Sequence, residues 1–455
     1  MLEQTIRVEY NFGYGFCSEM IYPRTTQIVL LIVLSWTTAG AVVQQTAKTD
    51  ESVDAHTHQG MLAAEANDLK KAERHFAAAA SLAPSDPSTR NNYGAILMRL
   101  GRTTEACVEF EASLKLNPNQ SSALTNLAQI YFDRGQVDDL RMAKTLFERA
   151  AKTSSDPEVS RALIVTYLKL GQVLIEKGDL RGAGRTLESA VASGIDDARV
   201  YAALAEVYEA DGHYENAIPA MRLAVQRDPQ NEVYHFRYGL LLTDSHAPAA
   251  GILRLEEALK QFPNSPRLWL ALGIAQFTYG KNAEAENSFQ RSLALDAKLV
   301  PALAYLGVTY GERGSYDKAI GFYEQAIALN PQLAALHYLV ADTLLKMSSP
   351  DTTRAEKYLK RATEIDPNLA AAYLAWGRVY VRANRYEEAA PLLERAVALQ
   401  PELVEAHYQL SRVLVKLKRS GEANRELAIF KQLTEKQKAQ NEAREIVRRL
   451  ANVRF

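Results

Sequence analysis

The sequence predicts an all-α protein in which one helical unit is copied many times along 455 residues. Three observations carry that reading. Prolines recur at a fixed step: Pro84 and Pro118, Pro229 and Pro263, and Pro367 and Pro401 are each 34 residues apart. Two further steps lead from Pro263 to Pro331, with Ala297 in the intermediate slot. Alanine and leucine dominate while glycine, proline and β-branched runs are few, a balance that favours helix. The chain is too long for one ordinary core, yet no shift of composition divides it into unlike domains. A solenoid satisfies all three, because each unit packs only on its neighbours and length can grow freely.

Set in register on the prolines, the units share more than a stop signal. Working back from Pro331 gives Leu303, Leu306, Gly307, Tyr310, Gly314, Ala319, Tyr323 and Ala326. The same offsets from Pro401 give Tyr373, Trp376, Gly377, Tyr380, Asn384, Ala389, Leu393 and Ala396, and those from Pro118 give Tyr93, Gly94, Gly101, Ala106 and Phe110. This pattern resembles the tetratricopeptide repeat, W-x2-L-G-x2-Y followed by A-x3-F, an alanine and a closing proline. The resemblance covers residues 53–436 in about eleven units. It implies a right-handed superhelical solenoid of antiparallel helix pairs, with residues 437–455 as a separate capping helix. An amphipathic segment there sets Ala443, Ile446, Val447 and Leu450 against Glu442, Arg444, Arg448 and Arg449, the polar-faced end that solenoids need.

Each registered position has a physical reason. Where the two helices of a unit cross most closely, only small side chains fit: Gly94, Gly239, Gly273, Gly307 and Gly377 on the first helix, Ala217, Ala285, Ala319 and Ala389 on the second. Gly101, Gly212, Gly280 and Gly314 sit where the first helix ends and a left-handed cap is needed. Phe76, Phe110, Phe289 and Tyr323 are expected to fill the space between units. The closing proline ends the second helix because it can neither donate to it nor fit inside it.

Departures from the pattern mark irregular units. In the third, Ala143, Phe147 and Ala150 arrive three residues late. The fourth has a long first helix, from about Pro157 to Lys177, and closes at Gly194-Ile195 without proline. The sixth carries Gly251 at the alanine slot and His246-Ala247-Pro248 at its inner turn, and the ninth has two extra residues around Ser348-Ser349-Pro350. A local bend near residues 135–197 is expected, without a domain break.

Charge and cysteine content bound the function. A net charge of −1 gives no reason to expect nucleic acid as partner. Of the two cysteines, Cys17 and Cys107, only the second lies in the repeats, where it reads as a small buried hydrophobe, so neither a disulfide framework nor a cysteine metal pair exists. Residues 28–36 (IVLLIVLSW) follow Arg24 and precede Ala39-Gly40-Ala41, the layout of a secretory signal peptide cleaved after Ala41. The run is shorter than the ~20 apolar residues of a membrane span. The alternative is an uncleaved N-terminal anchor, the one circumstance in which membrane contact is expected. Met20 begins a more ordinary leader, so residues 1–19 read as an upstream extension. Residues 42–52 form a polar linker. The expected location is periplasmic or secreted.

Candidate chemistry is sparse. His56, His235, His337 and His407 all occupy the slot that the resemblance gives to tryptophan. One unit or more apart, they cannot converge on a metal and read as packing residues. His56-x-His58 offers at most a weak metal site. Gly182-Ala183-Gly184 lacks the preceding strand of a nucleotide loop, and no hydrolase, zincin or kinase signature is present. No cofactor, no metal and no catalytic activity are expected.

The groove is the more informative surface. In proteins of the resembled family the first helix of each unit lines a concave face. Carried onto this sequence, its ligand-facing positions hold Asp133, Glu176, Glu206, Glu209, Asp244 and Glu312 in the central units, but Lys346, Arg378, Arg382, Arg412 and Lys416 in the C-terminal ones. Arg378 and Arg382 share one helical face, and Arg412 and Lys416 repeat the pair one unit later. Tyr338 and Tyr408 lie beside them. This cationic, aromatic patch suits an acidic peptide held by charge-assisted hydrogen bonds, with Phe132, Phe236 and Phe277 as apolar anchors. The carboxylate clamp of chaperone-binding relatives is not reproduced, because the matching positions of the second unit are Asn91 and Ala95. The expected function is therefore a non-catalytic scaffold that binds an extended peptide or helix of another protein. Two alternatives stay open: self-association, and service as auxiliary subunit of an envelope glycosyltransferase or peptidase complex.

Overall fold

The computed structural model describes residues 52–451, with side chains to residue 438. The expected signal peptide, the start at Met20 and, apart from Ser52, the linker lie outside the described residues. Those residues form twenty-two α-helices and no strand. In chain order the helices are α1 (Val53–Glu65), α2 (Leu69–Leu82), α3 (Pro87–Arg99), α4 (Thr103–Leu116), α5 (Ser121–Arg134), α6 (Val137–Thr153), α7 (Pro157–Glu176) and α8 (Leu180–Ala192). There follow α9 (Ala198–Ala210), α10 (Tyr214–Arg227), α11 (Glu232–Asp244), α12 (Pro248–Gln261), α13 (Pro266–Tyr279), α14 (Asn282–Leu295) and α15 (Val300–Glu312). The last are α16 (Tyr316–Leu329), α17 (Ala334–Lys346), α18 (Thr352–Ile365), α19 (Ala370–Arg382), α20 (Tyr386–Leu399), α21 (Val404–Lys416) and α22 (Ser420–Ala451). The expected eleven pairs are all present.

Local chemistry starts and stops these helices where the repeat requires. Asp68, Asp86, Asp156, Asp179 and Asp351 cap helix N-termini by accepting backbone N–H bonds, and Pro87, Pro157 and Pro266 occupy first-turn positions that need no donor. Gly101, Gly212, Gly280 and Gly314 adopt the left-handed conformation expected of them, as do Asn67 and Asn384 at the same turn of other repeats. The close approach is more specific than the sequence implied. A Cβ on Gly94 would lie 2.8 Å from the Phe110 ring, and one on Gly307 only 2.3 Å from that of Tyr323. The repeated aromatic therefore packs onto the glycine of its own unit and also reaches the next one, as where Phe289 stacks on Tyr305 with ring centroids 5.4 Å apart.

The described helices fall into two compact units, one ending at Leu241 and the other starting at Leu242. The division lies inside α11, in the repeat whose second helix carries Gly251 in place of alanine, and not in the stretch where a bend was expected. There the extra residues lengthen helices: α6 has 17 residues and α7 has 20. One apolar core runs through this stretch, from Ala95 and Phe110 to Tyr167 and Val207. The expected cap is also not a separate helix. With no proline and no glycine after Gly421, nothing stops the second helix of the last repeat, and α22 runs unbroken from Ser420 to Ala451. The amphipathic face expected at 442–450 lies outside the residues whose side chains are described.

Candidate functional site

In the unit that starts at Leu242, α19 and α21 occupy equivalent positions of consecutive repeats. Each carries two cations one turn apart on the same face, Arg378 and Arg382 on α19, Arg412 and Lys416 on α21. All four line a single cleft of about 520 Å³, together with Gln409, Asn384, Tyr386 and three valines. No carboxylate lines it. Arg382 donates to the Leu345 carbonyl at 3.4 Å, and the Arg412 guanidinium lies 5.5 Å over the Tyr408 ring. Among the described residues none of the four makes an ion pair, whereas the neighbouring arginines do. Arg385 donates to Glu388 at 2.7 Å, and Arg419 meets Glu394 at 3.1 Å and Glu422 at 2.7 Å.

The remaining predicted residues are placed differently. Lys346 occupies on α17 the position of Arg382, after allowance for the two extra residues of that repeat, but its ammonium is 2.6 Å from Asp342. The cationic grid therefore ends at α17. Tyr338 is half-buried beside the same aspartate, and burial pushes its phenol well above the usual range, with the Asp342 charge adding to it. Tyr408 is 37 % exposed and packs on Phe430, with ring centroids 5.2 Å apart. It flanks the cleft without lining it.

The apolar anchors need correction. Phe132 is 5 % exposed and Phe236 3 %. Phe132 belongs to the core and its ring is roofed by the Lys169 ammonium at 4.2 Å. Phe277 is half-buried, edge-on to Tyr305. Phe132 and Phe277 at the twelfth position of their helices, and Phe236 at the fifth, are drawn into the packing, where they lose contact with water.

The acidic central stripe is also partly internal. Arg237 on α11, only 4 % exposed, reaches Glu206 at 3.2 Å and Glu209 at 3.1 Å on α9. Burial alone would lower its pKa, but the two carboxylates outweigh that and raise it. Glu206, itself buried, is thus a structural partner and not a ligand-facing acid. Asp133 and Glu176 are exposed and accept bonds from Gln129 and Gln172 on their own helices. Sequence reasoning overlooked Arg237. Its signal was a cation between Phe236 and Tyr238 on an otherwise apolar face.

The histidine slot serves packing, as expected, and has a second property. His235, His337 and His407 each place Nε2 within 2.9 to 3.0 Å of the carbonyl of the proline six residues earlier, and Trp269 Nε1 donates to Pro263 in the same way at 2.9 Å. A carbonyl only accepts, so Nε2 carries the proton. Where the slot holds histidine or tryptophan in these four repeats, its ring N–H ties the repeat to the preceding closing turn. In the first repeat His56 instead meets His75, Nδ1 to Nδ1, at 3.2 Å. Cys107 is half-buried, and burial raises its thiol pKa. No cluster of three or more metal-ligating side chains occurs among the described residues. No described helix is long and apolar enough to cross a membrane.

Comparison with known proteins matches this chain to family models described as tetratricopeptide repeat. One matches residues 57–109, 168–232, 239–300 and 374–429, more than half of the chain. Two others match residues 300–333 and 109–141. Among curated relatives, the BBSome complex member BBS4 of Bos taurus is 23 % identical over 303 residues, 66 % of this chain and 55 % of that protein. The cellulose synthase operon protein C of Pseudomonas fluorescens is 24 % identical over 363 residues, 74 % of this chain and 27 % of that protein. This chain thus spans about half the length of the first and about a quarter of the second. Of the solved structures, yeast Tom70 is 16 % identical, with 88 % of this chain and 97 % of that one aligned at a TM-score of 0.46.

Proposed function

The chain belongs to the tetratricopeptide repeat family, a protein-interaction scaffold, and on that premise we propose that its C-terminal cleft captures an acidic segment of another protein. One observation carries this reading: Arg378, Arg382, Arg412 and Lys416 converge without a counter-ion on one carboxylate-free cleft. Cations that serve only solubility need not converge, and on this surface other arginines are already neutralised. An incoming carboxylate would gain charge-assisted, bidentate hydrogen bonds to guanidinium groups held on rigid helices.

Poly-L-glutamate is a direct probe. Binding that falls at least tenfold when Arg378, Arg382 and Arg412 are all changed to Gln supports the proposal, and binding unchanged by the triple variant contradicts it. The likeness to a cellulose synthase operon protein supports a narrower version, in which the captured partner is a component of an envelope enzyme complex and this chain its non-catalytic auxiliary subunit. Co-purification with an enzyme from an envelope fraction tests that version, and recovery of cytosolic partners alone opposes it. The apolar run at 28–36 and Ala39-Gly40-Ala41 support export with cleavage after Ala41. N-terminal sequencing that finds Val42 first agrees with cleavage, and an intact leader on the mature protein disagrees.

A further inference from the structure

We propose that the occupant of the cleft is an extended peptide carrying an uninterrupted run of four acidic residues, an inference that rests on the acidic-segment reading above. The spacing of the four cations selects the run. Arg378 and Arg382 are four residues apart on α19, hence ~6 Å along its axis, and Arg412 and Lys416 repeat that spacing on α21. Helices packed side by side lie ~8–10 Å apart, so the cations form two facing walls of two charges each. In an extended chain side chains alternate sides, and those on one side repeat every ~6.6–6.8 Å. Acidic residues at i and i+2 then meet one wall while i+1 and i+3 meet the other.

A helical ligand with acids at i and i+4 also repeats at ~6 Å. However, a helix presents its i and i+4 side chains on one face, so it meets one pair of cations and leaves the other pair unmatched. The run is bounded on one side as well. The equivalent positions on α17 are Asp342 and Lys346, already paired with each other at 2.6 Å. A longer acidic stretch meets no third rung there.

Fluorescence anisotropy on the full chain, with labelled peptides of about sixteen residues each containing four glutamates, tests the geometry. The probes hold the glutamates contiguous, spread singly among glycine and serine, or at i, i+4 positions in an alanine-rich helix. The contiguous peptide is expected to bind at least tenfold more tightly than either of the others. Its affinity is expected to fall about tenfold in the one-wall variant R378Q/R382Q and again in R412Q/K416Q. Equal affinities for the contiguous and spread peptides would overturn the inference while leaving acidic capture intact. A helical peptide that binds best would overturn it too. No binding by any probe at millimolar concentration would remove both readings.

Discussion

Two arginines on equivalent first helices show how differently this chain handles charge. Arg237, in the unit ending at Leu241, is sealed between Glu206 and Glu209. Arg378, in the unit starting at Leu242, opens with three further cations onto a cleft that holds no carboxylate. Burying a guanidinium is tolerable only when its partners are close and well oriented, so Arg237 is committed to holding α9 against α11. Arg378 is half-buried but makes no ion pair among the described residues, which leaves its guanidinium available to a ligand. Both stand on first helices, Arg237 at the sixth position of α11 and Arg378 at the ninth of α19, so place on the helix and the neighbouring repeat together decide between a structural and a binding role.

Breaking the first half of this comparison has the largest expected effect. Arg237→Met leaves Glu206 buried without a counter-charge and is expected to cost about 3–5 kcal/mol, read as a lower midpoint in urea unfolding. Replacing Glu206 and Glu209 with Gln in the same chain should restore much of the loss. A single variant as stable as the parent would mean that the triad is not a structural unit. The second half reverses the pattern. R378Q/R412Q should leave stability within about 0.5 kcal/mol while acidic-peptide affinity falls by roughly tenfold or more, each lost contact being a hydrogen bond to a charged group. A large stability change with unchanged binding would place these arginines in the same class as Arg237.

A gain should follow from the edge of the grid. Asp342→Asn releases Lys346 from its 2.6 Å pair and adds a third rung, so a peptide with six contiguous acids should bind a few-fold more tightly than to the parent. No gain would mean that α17 lies outside the path of the ligand. The smallest effect concerns pH. Glu286 accepts a bond from the Tyr310 hydroxyl at 2.6 Å and pairs with Arg313, and the tyrosine first and then the arginine hold its carboxyl below the usual value. A carboxyl depressed by folding contributes stability that is present above its unfolded pKa and lost as pH falls through the folded one. The thermal midpoint of the parent should therefore drop slightly more than that of Glu286→Gln as pH is lowered below the ordinary carboxylate range.

Much of the fold was legible because it follows from local rules repeated at one interval. The spacing of the prolines located the pairs, Gly101 and Gly314 marked the left-handed turns, and the long helix expected from Pro157 to Lys177 is α7, Pro157–Glu176. What escaped depends on contacts across repeats. Arg237 pairs 28 and 31 residues back, and neither glutamate betrays a buried partner by its own neighbours. Phe132 and Phe236 fit a groove position on the helix, but the adjacent packing takes them inside. The donor role of the histidine slot was readable in principle. His235, Trp269, His337 and His407 are all ring N–H donors, and each lies six residues after a proline. The cleft itself was half legible: register put its four cations on two helices, but only the structure separates them from Lys346, whose counter-ion Asp342 lies one turn away.

A charge swap tests the central claim most directly. In R378E/R412E, anisotropy titration with the contiguous four-glutamate peptide should show binding lost, and the matching four-lysine peptide, expected not to bind the parent, should now bind. Glutamate-peptide affinity equal to that of the parent would contradict a cleft that works by its unpaired cations.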